Sequence, residues 1–329
     1  MKSSTAFAQL LLATFLASAA LLAGPAAAQQ SYPDKPIRLI VPYPPGGTTD
    51  ALARMISQKL SGSWGQPVAV ENRPGGDTII ATDFLAKSAP DGYTLLLTLN
   101  THVINPHTHK QLPYDPIKDF APVATVAINE QVMAVSPAVP ANNLQELIAL
   151  AKSKPGTLNH GAGGTGGIVH LTLELFNNMA GVKIQHVPYK GAAQAMTDLI
   201  SGQIQLSLAP PILVKQYIST GKLKAFAVSG ERRVPSLPEV PTFAESGWPD
   251  FDVKVWYGFL APAGTPKPVI EKLSAEFAKI LALPETKTFL ETQGFEPFFG
   301  NSEQFSELMK SDLAKYGKAV KSANIKAAD

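Results

Sequence analysis

Two glycine-rich stretches contain the residue types with which proteins bind small anions. The first is Tyr43–Asp50 and the second is Gly161–Gly167, and apolar residues at helical spacing follow each of them. The first N–H groups of a helix have no partner within the helix, and the helix dipole is positive at that end. The two stretches therefore predict anion binding by backbone amides, a chemistry that requires no arginine.

The first stretch has the composition of a turn between a strand and a helix. Proline stiffens the entry, glycine permits a sharp turn with exposed N–H groups, and threonine or aspartate can cap the helix. Two roles are open to Asp50, since its carboxylate could cap its own helix or accept a hydrogen bond from a ligand. An ordinary capped turn that binds nothing has the same pattern. The candidate ligand-binding residues of this stretch are Tyr43, Pro44, Gly46, Gly47, Thr48, Thr49 and Asp50.

The second stretch matches a nucleotide-binding motif only in part. Gly161–Gly166 has the G-x-G-x-x-G spacing, but the acidic partner expected near the end of the next strand is missing from Gln185–Pro188. The Gly-Lys-Ser/Thr ending of a phosphate loop is missing too. We therefore predict a second helix start with free N–H groups and no cofactor. His170 would bond the loop or the ligand, or be a satisfied structural histidine. The candidate residues here are Gly163, Gly164, Thr165, Gly166 and His170.

Two helix starts on opposite sides of a cleft would suit a ligand with two anionic ends. Each dipole contributes ~0.3–2 kcal/mol, whereas each hydrogen bond to a charged group contributes ~1.5–3 kcal/mol. Three or four bonds at each end are compatible with micromolar affinity, about 8 kcal/mol. Aromatic-class residues near predicted strand ends could wall such a pocket as a group, although each alone is more often a core residue; they include Tyr43, His102 and Tyr189.

Other chemistries have little support in the sequence. His102, His107 and His109 share one segment without a nearby carboxylate cluster, which is poor zinc geometry. No Gly-x-Ser-x-Gly elbow is present, so an acyl-transfer triad is not indicated. The chain has no cysteine and a net charge of +2, which excludes disulfides, thiolate chemistry and a broad basic field for nucleic acid.

Residues 1–28 have the pattern of a cleaved signal peptide. Lys2 is their only charged residue, an apolar region follows it, and Ala26–Ala28 fits a small-residue cleavage site. A membrane anchor is the alternative, but Ser18, Gly24 and Pro25 interrupt the apolar region. No other segment approaches the ~20 apolar residues of a membrane span. We therefore expect a soluble, exported, periplasmic protein.

Alternating strands and helices predict an α/β fold with mostly parallel sheets. Strands are predicted at 37–41, 67–71, 93–98, 123–128, 132–135, 184–187, 203–208, 224–228 and 256–260. Helices are predicted at 49–61, 78–88, about 143–153, 168–180, 192–201, 212–219, 267–282, 285–292 and 302–322. A polar loop at 99–118 and an irregular segment at 230–250 separate these elements. The chain therefore divides into domain 1 (32–128 plus 230–329) and domain 2 (129–229), with a cleft between them.

The mature chain resembles the Bug family, the periplasmic receptors of tripartite tricarboxylate transporters. The matching stretches include Tyr32–Arg38, Val41–Asp50, Glu71–Gly75, Ala89–Leu95, His186–Gly191, Leu237–Thr242, Glu245–Gly247 and Trp256–Pro266. The resemblance implies a two-lobed periplasmic-binding-protein fold, type II-like, that closes on its ligand. It also implies that two loops grip a carboxylate through backbone amides, hydroxyls and bridging waters, and these loops map onto Tyr43–Asp50 and Gly161–His170.

The sequence departs from the family pattern in two regions. The second loop has Ala162 and Gly167 where the family often has hydroxyl residues, and Asp77–Ala81 replaces a stretch that is usually glycine-rich. The ligand of a relative therefore cannot be transferred to this chain.

These observations favour a binding protein over an enzyme. The first hypothesis is a receptor, expected to be monomeric, that captures a small carboxylate and delivers it to the permease subunits of a tripartite tricarboxylate-type transporter. A periplasmic carboxylate sensor for a signalling partner is the alternative, and a nucleotide-dependent enzyme is a weaker one. No metal and no nucleic-acid partner is expected.

Overall fold

The computed structural model describes residues 32–163, 166–189, 192–249, 251, 253–322, 325 and 327. The segment predicted as a signal peptide lies outside these residues. The strands are β1 (Ile37–Val41), β2 (Val68–Asn72), β3 (Thr94–Leu99), β4 (Phe120–Asn129), β5 (Val132–Val135), β6 (Asn159–Gly163), β7 (Gln185–Tyr189), β8 (Leu206–Ala209), β9 (Lys224–Val228), β10 (Val255–Pro262) and β11 (Glu296–Gly300). In the part of the chain that the structure describes, no helix has the length and apolar character that a membrane crossing requires.

The helices cover and connect these strands. They are α1 (Thr48–Trp64), α2 (Ile79–Ala86), α3 (Thr101–Thr108), α4 (Leu144–Ser153), α5 (Ile168–Ala180), α6 (Ala192–Ser201), α7 (Pro211–Ser219), α8 (Lys267–Ala282), α9 (Pro284–Thr292) and α10 (Ser302–Ser322). A short 3-10 turn, Gly76–Thr78, precedes α2. Most of the predicted elements are confirmed to within a few residues.

Two separate sheets form the framework. The first has the order β11-β4-β10-β3-β1-β2 and the second has the order β7-β6-β8-β5-β9. We call the first sheet with its helices the first lobe, and the second sheet with its helices the second lobe. All six residues of β3 are buried, as expected for a strand that is covered on both faces.

The prediction of mostly parallel sheets is wrong, because both sheets are mixed. β1 runs parallel to β2 and β3, whereas β10 is antiparallel to β3 and β4, and β11 is antiparallel to β4. In the second sheet β6 is parallel to β7 and β8, whereas β5 is antiparallel to β8 and β9. The chain crosses to the second lobe between β4 and β5, and it returns between β9, an edge strand of the second sheet, and β10.

The two crossings lie side by side and are tied by buried polar groups. The backbone N–H of Gln131 donates to Oγ of Ser229 at 2.9 Å, and the N–H of Ser229 donates to the carbonyl of Gln131 at 2.8 Å. The returning segment, residues 229–254, packs mainly on the second lobe. Its buried side chains, including Val234, Leu237 and Phe243, belong to apolar clusters of the second lobe.

The lobes also meet through α5. Leu171 on this helix is buried in an apolar cluster that is otherwise built mainly from first-lobe residues such as Val103, Ile104 and Met309. This contact brings the start of α5, which follows the second glycine-rich stretch, against α3 and α10 of the first lobe.

Candidate functional site

The first glycine-rich stretch connects β1 to α1. Gly47 precedes the helix in an extended conformation without a side-chain cap, and Gly46 has a φ of +86°. A Cβ atom added at either glycine would meet nothing within 4 Å, so the backbone here faces open space. The first intrahelical bond runs from the N–H of Ala51 to the carbonyl of Gly47 at 3.0 Å. The earlier N–H groups of Thr48 and Thr49 therefore begin the helix without an intrahelical acceptor.

Asp50 holds this stretch together from inside. Its buried carboxylate accepts the N–H of Gly46 at 3.0 Å, Nε of Arg54 at 2.8 Å and Nδ2 of Asn72 at 2.9 Å. The hydrogen bond from Arg54, followed by the bonds from Gly46 and Asn72, lowers the pKa of Asp50 to about 2. Of the two roles that the sequence leaves open, the geometry favours an internal one, because the carboxylate is directed into its own loop.

Asn72 connects the end of β2 to the same stretch. Its Nδ2 also donates to the carbonyl of Tyr43 at 3.0 Å. The hydroxyl of Tyr43 lies 3.5 Å from Oγ1 of Thr101, the first residue of α3, and burial raises the pKa of this tyrosine. Neither Asn72 nor Thr101 is predicted from the sequence as a site residue. The position of Asn72 directly after a predicted strand is a usable signal.

The segment that departs from the family pattern lies beside Tyr43. Asp77 and Thr78 both have positive φ angles, 48° and 78°, which are unfavourable for residues other than glycine. Nδ2 of Asn105, on α3, donates to the carbonyl of Asp77 at 2.8 Å and thereby fixes this turn. The carboxylate of Asp77 also lies 3.4 Å from Nε2 of His109. The turn is thus held against α3.

The second glycine-rich stretch is a strand at its beginning rather than a loop. Gly161 and Gly163 belong to β6, where Gly163 is opposite Tyr189 of β7. A Cβ on Gly161 would lie 2.4 Å from Cδ1 of Ile204 and 3.0 Å from the ring of Tyr189, so a side chain here would force Ile204 to shift. Of the candidate residues in this stretch, Gly164 and Thr165 lie outside the residues that the structure describes.

Gly166 brings the second stretch against the first lobe. Its φ is +87°, and a Cβ atom there would lie 2.8 Å from Cγ2 of Thr108, the last residue of α3. The first residue of α3, Thr101, approaches Tyr43 in the first stretch. Because an α-helix rises 1.5 Å per residue, Thr101 and Thr108 at the two ends of α3 are about 10 Å apart along its axis. Both glycine-rich stretches therefore lie at the same short helix.

His170 belongs to a cluster of three histidines and one glutamate beneath the second stretch. Its Nδ1 accepts the N–H of Gly166 at 2.9 Å, and its ring stacks on that of His186 with centroids 3.7 Å apart. Nε2 of His160 lies 3.2 Å from Oε1 of Glu174. Burial lowers the pKa of His170 to about 4 and that of His186 to about 3. Burial alone would raise the pKa of Glu174, but its hydrogen bond with His160 and the nearby His170 help to lower it.

Two candidate residues are committed to other contacts. His102 is fully buried, hydrogen-bonded at 2.8 Å to the carbonyl of Pro116, and packed on Phe120, and burial lowers its pKa to about 4. The hydroxyl of Tyr189 donates to Asp198 at 2.8 Å, and burial together with that carboxylate raises its pKa to about 12. The structure therefore places His102 in the core of the first lobe. Within the described residues, no group of histidine, cysteine or acidic side chains has the geometry of a metal site.

The two-sheet framework, with backbone-lined turns where the sheets approach each other, defines a solute-binding protein rather than a nucleotide-binding enzyme. Residues 52–325 match the sequence profile of the tripartite tricarboxylate transporter family receptor. The chain is 36% identical over 291 residues to the "UPF0065 protein in tcbD-tcbE intergenic region" of Pseudomonas sp. (strain P51), covering 88% of this chain and 87% of that one. It is 34% identical to Protein BugT of Bordetella pertussis, covering 95% and 96%.

Solved structures agree with the sequence comparison. The R. palustris protein Rpa4515 with adipate has a TM-score of 0.81 and 32% identity, covering 90% of this chain and all of that one. MatC from Rhodopseudomonas palustris with bound malate has a TM-score of 0.75 and 29% identity, covering 88% of this chain and all of that one. The chain therefore belongs to the Bug family of receptors of tripartite tricarboxylate transporters, with the two-lobed fold of periplasmic binding proteins.

Proposed function

We propose that this receptor binds a small carboxylate between its two glycine-rich stretches. The observation that supports the proposal best is the position of α3, whose first residue approaches Tyr43 and whose last residue contacts Gly166. The two stretches, which come from different lobes, thus approach opposite ends of one short helix. That arrangement suits a compact molecule with an anionic group near each turn.

The backbone supplies most of the recognition in this proposal. Gly46 and Gly47 are exposed and bare, and the N–H groups of Thr48 and Thr49 start a helix. Ala162 and Gly167 have no hydroxyl, so at those positions the second stretch can offer only main-chain groups. Relatives solved with adipate and with malate support a dicarboxylate as the class of ligand. Closure of the lobes would then be stabilised by contacts that both turns make only with the ligand present.

The proposal also covers export of the receptor, its transport partner and its domain boundary. We infer that residues 1–28 direct export to the periplasm, and that the receptor delivers its ligand as a monomer to the permease subunits of a tripartite transporter. The strands of the first sheet come from 37–129 and 255–300, and those of the second from 132–228. The packing of Val234 and Phe243 supports moving the second domain boundary from 229 to about 254.

A thermal-shift screen followed by titration calorimetry tests this function. The panel should contain adipate, malate and citrate, with NAD and ATP as representatives of the competing enzyme hypothesis. We expect a dicarboxylate to raise the melting temperature and the nucleotides to leave it unchanged. A response to NAD or ATP alone would contradict the proposal.

Variants of Thr48 then locate the site. Proline is tolerated at the first helical position but removes the N–H, so Thr48→Pro should weaken binding at least tenfold. Thr48→Ala is the matched control, because it keeps the N–H and removes only the hydroxyl. Equal binding by the proline variant and the native protein would place the ligand elsewhere.

A further inference from the structure

We propose that His170 is a positioning residue whose neutral ring fixes the second glycine-rich stretch, and that His160, His186 and Glu174 make this hold sensitive to acid. The proposal rests on the proposed function only in its last step, where the position of the stretch determines the affinity for a carboxylate. The latch itself, the contact between Gly166 and His170, is a property of the protein without ligand.

The hydrogen bond to Gly166 fixes the tautomer of His170. A backbone N–H can only donate, so Nδ1, 2.9 Å from the nitrogen of Gly166, must be the acceptor and must carry no proton. The proton of the neutral ring is therefore on Nε2, which lies 3.7 Å from Oε1 of Glu174. Both ring nitrogens are thus directed at the protein, and only 5% of the residue is exposed.

The surroundings of His170 disfavour a second proton on its ring. Among the described residues, Glu174, one turn further along α5, is the carboxylate that contacts His160 and His170, and it also acts on His186. Nδ1 of His160 and Nε2 of His186 are buried without a hydrogen-bond partner among the described residues. On the outer side of α5, the contact from α10 to Asn178 is uncharged, because it is made by Ser322.

Protonation of His170 at Nδ1 would turn the hydrogen bond from Gly166 into a repulsive contact. A proton on Nδ1 would point at the N–H of Gly166, and two donors cannot share a 2.9 Å contact. Gly166 has little room to move towards the first lobe, because Cγ2 of Thr108 lies only 2.8 Å from the position that a Cβ of residue 166 would take. The stretch must therefore move away from α3, which separates the two amide-rich turns and weakens their joint hold on an anion.

Linkage gives the size of the effect. An open form in which the ring of His170 is exposed to water has the ordinary histidine pKa of 6.5, and the latched form has a pKa of about 4 for His170. Lowering the pH from 7 to 5 should therefore raise the equilibrium constant for opening by about twenty-fold. Below pH 4 the gain levels off, because both forms are then protonated.

Amide hydrogen exchange at Gly166, measured by NMR on the ligand-free protein, tests the latch directly. After correction for the intrinsic rate, exchange should be about twenty-fold faster at pH 5 than at pH 7, while amides of β5 change little. His170→Asn places a non-titrating amide oxygen near Nδ1, so this variant should keep the protection and lose the pH dependence. His170→Leu should lose the protection at both pH values. The control is His107→Gln, because His107 bonds the carbonyl of Leu313 in the first lobe.

Titration with adipate and malate at both pH values tests the last step. After correction for protonation of the ligand carboxylates, we expect affinity to fall about tenfold or more at pH 5 in the native protein and to stay constant in His170→Asn. Unchanged exchange at Gly166, or an equal change in His107→Gln, would overturn the latch. If exchange at Gly166 depends on pH as expected but the affinity does not, the positioning role is overturned. If none of the panel binds at any pH, the proposed function fails while the exchange result stands by itself.

Discussion

Nδ2 of Asn72 lies 2.9 Å from Oδ1 of Asp50, so the end of β2 is joined to the first turn of α1 by a charge-assisted hydrogen bond. The same nitrogen donates to the carbonyl of Tyr43 at 3.0 Å. One amide group therefore sets both ends of the turn that exposes Gly46 and Gly47. The turn is preorganised by side chains that themselves face away from the open space.

Replacing Asn72 by alanine should loosen this turn. The variant loses the bonds to the carbonyl of Tyr43 and the carboxylate of Asp50 and the longer 3.3 Å bond that Arg54 donates to Oδ1 of Asn72. We expect the free energy of unfolding to fall by about 2 kcal/mol. Carboxylate affinity should fall about tenfold, because the amides of the turn are no longer held in place. Urea unfolding and calorimetry measure the two effects. Asn178→Ala is the control, since the exposed Asn178 makes only a 3.5 Å contact with Ser322; equal losses in both variants would contradict the role of Asn72.

The pH dependence of stability should report the buried His102. Its pKa is lowered from 6.5 to about 4, so the neutral form is favoured by folding. The stabilisation is complete above pH 6.5 and is lost as the pH falls from 6.5 towards 4. Between pH 7 and pH 5, His102→Gln should lose about 2 kcal/mol less than the native protein. Urea unfolding at the two pH values measures this, and the same benefit in His107→Gln would contradict the assignment.

How far the sequence predicts the structure depends on whether a segment carries its own signals. The helix predicted at about 143–153 is α4, and the side chain of Asn143 caps its start by accepting the N–H of Glu146 at 2.9 Å. The predicted bounds of α5, 168–180, are confirmed. In both helices the caps and the apolar face agree, so local and tertiary preferences coincide.

Three elements were missed because tertiary contacts decide them. α3 contains Pro106 and polar residues, and bonds from Asn105 to Asp77 and from His107 to Leu313 hold it in place. β6 contains glycines, which have low strand propensity, and its place between β7 and β8 makes it a strand. β11 contains Pro297 and occupies a sheet edge, where a missing N–H is tolerated.

The candidate site was predicted in the same uneven way. Its two glycine-rich stretches could be recognised from composition, because anion binding by a helix start is a local property. The residues that support them are separated in the chain: α3 brings Thr101 and Thr108 to the two stretches, and the pairing of β2 with β1 brings Asn72 to the first. His102 belongs to this missed helix, which explains why its burial in the core was not anticipated.

Replacing Asp77 by glycine should stabilise the protein. Asp77 has a φ of 48° and a ψ of 44°, a left-handed conformation that costs about 1–2 kcal/mol for a residue with a Cβ. Glycine avoids this cost but has more freedom in the unfolded chain, worth about 0.5–1 kcal/mol. We therefore expect a net gain of about 0.5–1 kcal/mol in the free energy of unfolding, measured with urea. Asp83→Gly, in the regular helix α2, should lose stability, and a loss at Asp77 would show that its 3.4 Å pair with His109 outweighs the strain.

Gly161 is closely packed, and two substitutions can distinguish this packing from backbone flexibility as its role. A Cβ at this position would lie 2.4 Å from Cδ1 of Ile204, and Ala195 is 3.4 Å away on the other side. Gly161→Ala should therefore lower the free energy of unfolding by about 1–3 kcal/mol through overpacking. Ile204→Val deletes the atom that would clash, so the double variant should be more stable than the sum of the single effects predicts. Strictly additive losses in a urea double-mutant cycle would show that flexibility of the strand, and not this contact, is what Gly161 supplies.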